Sequence, residues 1–121
     1  MAQSVMVVEK DLRLARCLAG GLRSHFSVQI ILTREELKEN LERNHPHALV
    51  MDIENWRLSD VANLHNDYPE LPIVCTHRIP DEEMWTAALA AGASDVCPSN
   101  DTNIVLSSVL RSMALSRSAA A

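Results

Sequence analysis

The sequence predicts a doubly wound α/β domain built on a parallel sheet, and three observations predict it. Short apolar runs recur along the chain, each long enough for a strand and too short for a core helix. Between them lie stretches whose apolar residues return every three or four positions, the helical period. The run Ala48-Leu49-Val50-Met51-Asp52 is apolar up to its last residue, so it reads as a strand buried on both faces. Such strands belong to parallel sheets covered by helices. Ligands of open parallel sheets gather just beyond the carboxyl ends of the strands. Asp52 stands at such an end and is the first candidate functional residue.

Val5-Met6-Val7-Val8 is the first strand, followed at once by Glu9-Lys10-Asp11. Asp11 can cap a helix in which Leu14, Leu18 and Leu22 recur four apart with Ala15 beside them; Gly20-Gly21 weakens that helix without forbidding it. Val28-Gln29-Ile30-Ile31-Leu32 is the second strand. Thr33 and Glu36 form a capping box for a helix striped by Leu37 and Leu41, which Asn44-His45-Pro46 ends. After the strand at Asp52, residues 54–60 read as a loop, with a short helix over about 59–66 that Tyr68-Pro69-Glu70 breaks.

Leu71-Pro72-Ile73-Val74-Cys75-Thr76 is the fourth strand, with Pro72 near its start, where a missing N–H is tolerated. Pro80-Asp81-Glu82-Glu83 puts a proline and three acids at the positive end of the next helix, and Gly92 ends it. Met84, Ala87, Ala88 and Ala91 share its core face, whereas Trp85 and Leu89, four apart, fall on another. Asp95-Val96-Cys97 is a short fifth strand that stops before Pro98. Asn100 or Asp101 caps the last helix, with Leu106, Val109, Leu110 and Met113 on its buried side and Ser107, Ser108 and Ser112 outward. Residues 1–115 make one domain. Residues 116–121 are small and polar and read as a tail, a linker, a helix extension or a cloning remnant. Right-handed crossovers restrict the topologies open to five such units, and the flavodoxin-like (βα)5 order 2-1-3-4-5 is the natural expectation.

Bulk properties exclude several function classes. A chain of 121 residues suits one core, and 47% hydrophobic with 22% charged residues is an ordinary globular balance. A net charge of −5 argues against broad nucleic-acid binding by this domain. No apolar run has the length of a membrane span, and Met1-Ala2-Gln3-Ser4 lacks the basic and apolar parts of a signal peptide. Cys17, Cys75 and Cys97 are odd in number and far apart, which fits reduced thiols in the cytoplasm better than disulfides or a zinc site. Cys75 and Cys97, near the ends of adjacent strands, could approach each other and sense oxidation, although a buried cysteine is more often a small hydrophobe. His45 and His47 flank Pro46 and make no convincing metal pair. Gly20, Gly21 and Gly92 form no phosphate-cradling loop, and no catalytic triad or metallohydrolase spacing is present.

Four stretches together resemble a known family. They are Val7-Val8-Glu9-Lys10-Asp11, Pro46-His47-Ala48-Leu49-Val50-Met51-Asp52, Leu71-Pro72-Ile73-Val74-Cys75-Thr76 and Ala91-Gly92-Ala93-Ser94-Asp95-Val96. The chain resembles, over about residues 4 to 115, the CheY-like receiver domains of two-component response regulators. The resemblance implies a phosphoryl group passed from a histidine kinase to an aspartate at the third strand's end, which Asp52 matches. It also implies two adjacent acids after the first strand to hold Mg²⁺; Glu9 and Lys10 stand there. Mg²⁺ demands oxygen ligands in a near-octahedral shell. At ~4 Å and an effective dielectric of about 20, one unit pair is worth about 4 kcal/mol, so exchanging an acid for Lys10 weakens Mg²⁺ binding by a large factor. The family's lysine after the fifth strand falls at Ser99, its switch hydroxyl at Thr76 and its switch aromatic at Val96. The glycine and proline usual after the phosphorylation site are missing, with Trp56 and Asp60 near their places.

These departures give an expectation of an atypical receiver, a pseudo-receiver. It would not be an enzyme, and would work in the cytoplasm mainly through protein contacts, with weakened or absent Mg²⁺-dependent phosphorylation at Asp52. Lys10 is expected to pair with Asp52 and Glu9 in the space Mg²⁺ takes in the family. Partners would be a histidine kinase or another signalling protein, and a second copy of the chain. The resemblance places the latter contact on the face of the fourth helix, fifth strand and fifth helix, centred on Trp85 and Leu89; the plainer reading leaves Trp85 partly buried under a loop. Two alternatives stand beside this. One is a working phospho-accepting receiver using Glu9 and Asp52 for metal, as the input half of a transcriptional regulator. The other is a small-ligand-binding Rossmann-like domain whose pocket Asp52, Thr76 and Ser99 line.

Overall fold

The computed structural model describes the backbone of residues 3–120 and the side chains of residues 3–116. Five strands, β1 (Ser4–Val8), β2 (Ser27–Ile31), β3 (Ala48–Asp52), β4 (Ile73–His77) and β5 (Asp95–Pro98), alternate with five helices. The helices are α1 (Leu12–Leu22), α2 (Arg34–Arg43), α3 (Leu58–Asp67), α4 (Glu82–Ala91) and α5 (Thr102–Ala120). All strand pairings are parallel and the order is β2-β1-β3-β4-β5, as the sequence predicts. Residues 116–120 prolong α5; residue 121 lies outside the described residues, as do Met1 and Ala2 of the stretch tested for a signal peptide.

Alternation along the central strands divides the core in two. Met6, Val8, Leu49, Met51, Ile73, Cys75 and Val96 point to one face, where Leu37, Leu41, Val61 and Ala88 of the helices meet them. Val5, Val7, Val50, Val74 and Cys97 point to the other, against Ala15, Leu18 and Leu22 of α1 and Val105, Val109 and Met113 of α5. The two cysteines therefore lie on opposite faces, and the pairing of Cys75 with Val96 and of Cys97 with Thr76 shows why. Both are free and buried, each packed as a small hydrophobe in a different cluster. Burial also pushes the Cys75 thiol up to about 12, which leaves it protonated and unreactive at neutral pH.

The caps are those the sequence supplies. Asp11 accepts from the Arg13 and Leu14 amides, Thr33 from Glu36, Asp81 from Met84 and Asp101 from Ile104. Gly92 closes α4 in the left-handed region at φ 113°, and a Cβ there would also run into the His65 ring, so glycine is required twice over. α5 is rotated from the expected register. Val105 rather than Leu110 joins the core, Leu110 is exposed, and Ser108 and Ser112 turn inward while Ser107 stays out. The inward face is the one that buries Val105, Val109 and Met113, and on it Ser108 donates to the Asp95 carboxylate. α3 begins one residue before the expected start, where Asp60 accepts from the Arg57 amide.

Candidate functional site

The carboxyl edge of the sheet carries a row of polar side chains. Val7, Val50 and Val74 face the α1/α5 side, and two residues further on in each strand direction stand Glu9, Asp52 and Thr76. Asp52 pairs with Thr76 and Thr76 with Cys97, so Ser99 follows on the same side one step beyond. All four groups are buried: Glu9 is 1% exposed, Asp52 3%, Thr76 1% and Ser99 2%. The structure thus brings together four of the candidate site residues from four strands or strand ends.

Asp52 is held by the segment that follows it. Its Oδ1 accepts from the Glu54 amide at 2.9 Å, and its Oδ2 from both the amide and the side-chain Nδ2 of Asn55 at 3.1 Å. An aspartate accepting from the second and third residues after it is a local turn pattern. Glu54 then ties the same loop to the next one, accepting from Arg78 Nε at 2.9 Å and standing 3.7 Å from His77 Nδ1. Burial works against ionisation of Glu54, yet the Arg78 bonds hold its carboxyl below the usual range. Glu9 goes the other way. Burial and then the neighbouring Asp52 raise its pKa from 4.5 to about 7.

Lys10 does not pair with Asp52 or Glu9, contrary to the expectation. It is exposed, its Nζ contacts the Asn55 carbonyl oxygen at 3.4 Å and lies 5.3 Å from the centre of the Trp56 ring. The indole draws it there. Trp56 is 2% exposed within the core on the α2/α3 side, and Arg34, which is bonded to Asp60 at 2.9 Å, lies 5.4 Å from the same ring. Trp56 lies in the loop the sequence predicts, but the sequence did not show that its ring is buried in the core with two cations beside it.

The carboxylates of this row are Glu9 and Asp52, and Lys10 follows Glu9 where the resemblance would put a second acid; Asp52 accepts three N–H donors from the segment that follows it. Among the described residues no group of three His, Cys, Asp or Glu side chains converges as a metal cluster. What the row does offer is two hydroxyls, Thr76 Oγ1 and Ser99 Oγ, buried with no hydrogen-bond partner.

On the α4–β5–α5 face, Asp95 accepts from Ser108, from Arg111 Nη2 at 2.9 Å and from the Val96 amide at 2.8 Å. Burial opposes its charge, but these bonds and the adjacent Trp85 indole keep its pKa low. Trp85 is 46% exposed and Leu89 half-buried, so the expected second face of α4 is open to solvent at its tryptophan.

The fold is that of response-regulator receiver domains, CheY-like in strand order and helix placement. The chain is similar to a response regulator from Thermotoga maritima (17% identity, TM-score 0.85, 94% of this chain and 99% of that one). It is similar also to a CheY-like receiver domain protein from Methanospirillum hungatei JF-1 (15%, 0.85, 98% of each chain). A third is the BeF3-activated DrrB receiver domain (20%, 0.82, 94% of this chain and 99% of that one). No protein-family profile and no curated protein sequence matches the chain. No helix among the described residues is long and apolar enough to cross a membrane.

Proposed function

We propose that the chain is an atypical receiver domain in two-component signalling, not an enzyme, which acts mainly through protein contacts and in which Mg²⁺-dependent phosphorylation of Asp52 is weakened or lost. The observation that carries this reading is the buried row Glu9, Asp52, Thr76 on a receiver fold, with Lys10 where a second acid would stand. A Mg²⁺ titration followed by amide chemical shifts tests it, with beryllofluoride as the phosphoryl mimic, the probe that activates the DrrB domain. Millimolar Mg²⁺ should leave Asp52, Thr76 and Ser99 unmoved. Saturable shifts at all three that appear only when Mg²⁺ accompanies the mimic would sink the weakened-site reading and make this a conventional switch.

The contact surface belongs to the same proposal. Trp85 and Leu89 on α4, beside the Asp95–Arg111 pair, offer an aromatic anchor with a polar rim, the composition of a recognition patch. The partner we infer is a second copy of the chain. Sedimentation equilibrium should show a dimer in the parent that Trp85→Ala weakens; a monomer in both proteins removes this surface from consideration.

A further inference from the structure

We propose that the cleft between α2 and α3 binds a small uncharged ring compound through a carbonyl-type acceptor that takes the indole N–H of Trp56. The inference goes beyond the receiver reading and does not depend on it. Two independent observations carry it, a cavity and an unpaired donor in its wall. α2 sinks only Leu37 and Leu41 into the core and α3 only Val61, and a gap stays open between the two helices. Its volume is about 260 Å³, and Trp56, Leu37, Leu41, Leu64 and Tyr68 form its apolar wall. An apolar cavity of roughly 150 Å³ already takes a benzene-sized ring, so this one has room for a substituted ring. Past Leu41, Asp67 and Tyr68 it continues into a hollow of about 520 Å³ at the amino edge of the sheet, where a longer ligand could extend.

Trp56 supplies the second observation. Its side chain is 2% exposed, yet its Nε1–H finds no acceptor among the described residues. Buried donors are nearly always paired, and one left unpaired costs free energy. The cations beside the ring cannot help, because ammonium and guanidinium groups only donate. What the wall lacks is therefore an acceptor. The charges at the rim nearly balance, Arg34 and Lys38 against Glu42, Asp60 and Asp67, and Arg34 is already bonded to Asp60 across the two helices. The site thus favours a ligand without net charge. An apolar ring bearing one carbonyl meets both demands: the ring covers the leucines and the oxygen pairs the indole. One polar group that fixes orientation among apolar walls is the usual make-up of a small-molecule pocket.

The experiment is a titration of the full chain with acetophenone, followed in proton–nitrogen correlation spectra at the indole N–H resonances, with Trp85→Phe assigning that of Trp56. Isopropenylbenzene, in which a methylene carbon replaces the carbonyl oxygen, is the matched probe without an acceptor. The expected result is a saturable downfield shift of the Trp56 N–H with a Kd on the order of 1 mM, as suits so small a ligand. Isopropenylbenzene on the parent, and acetophenone on Trp56→Phe read at the Leu64 amide, should each bind roughly three- to tenfold more weakly, the worth of one hydrogen bond. Leu64→Phe fills the gap from its half-buried wall without altering the indole, and should abolish the shift. An indole resonance unmoved at about ten times that Kd overturns the inference. Equal affinity for the two probes overturns it too, since the cleft would then have no use for an acceptor. So does a shift that survives Leu64→Phe, since the ligand would then sit elsewhere. The two probes and Leu64→Phe decide the matter even if Trp56→Phe fails to fold.

Discussion

Trp56→Ala should cost about 3–5 kcal/mol of folding stability, the range for removing a buried tryptophan side chain. The ring is 2% exposed and packs in the cluster that joins α2 and α3 to the sheet. Truncation leaves a cavity that Leu37, Leu41 and Val61 can fill only by moving α2 or α3. It also removes the shared surface on which Lys10 and Arg34 rest, each worth about 0.5–1 kcal/mol at an exposed site. Trp56→Phe separates the contributions. It keeps an aromatic face for both cations and deletes the indole N–H, which is buried with no partner. Removing an unsatisfied donor returns about 1–3 kcal/mol, so the phenylalanine variant should lose less than half of what the alanine variant loses. Urea unfolding with an unchanged m-value measures both. A Trp56→Ala loss under about 1 kcal/mol would mean the indole is not the core residue described here.

Trp56 also shows where the sequence stops being readable. Strand and helix assignments rested on local period and caps, and those are local properties: Asp11, Thr33 and Asp81 cap where expected because a cap needs only its own next three residues. Asp52, Thr76 and Glu9 came together because strand ends in a parallel sheet are brought to one edge by topology alone. Three things were not legible. The inward turn of Ser108 is matched by Asp95, thirteen residues away on another element, which no local pattern announces. The two cysteines looked close because their strands are adjacent, but a one-residue register offset puts them on opposite faces. The position of Lys10 depended on an aromatic ring forty-six residues later, and an attraction to nearby carboxylates was the simpler expectation. Burial explains why it failed. Glu9 and Asp52 are sealed at the sheet edge, where a lysine could follow only by giving up its hydration.

Glu9→Gln should make the protein more stable at pH 8 and flatten its stability between pH 5 and pH 8, a window set by the raised pKa of Glu9. In the folded chain burial, then Asp52, lift that pKa from 4.5 to about 7, whereas in the unfolded chain the carboxyl titrates near its ordinary value. Between those two values the folded protein holds a proton that the unfolded chain has released. Raising the pH therefore favours unfolding: the contribution is complete below pH 4.5 and is lost as the pH passes through about 7. The loss is on the order of 3 kcal/mol. Glu54, Asp60 and Asp95 have lowered pKa values and act with the opposite sign, losing stability as the pH falls into the acid range. The parent should accordingly be most stable in mildly acidic solution and weaken toward pH 8. Glutamine keeps the shape of the protonated side chain and cannot ionise beside Asp52, so the variant should match the parent near pH 5 and exceed it at pH 8. Thermal unfolding at a series of pH values gives both curves. Parallel curves would show that Glu9 ionises as freely folded as unfolded. Its carboxylate would then not be sealed against Asp52, and the edge of the sheet would be open enough to admit a cation from solvent.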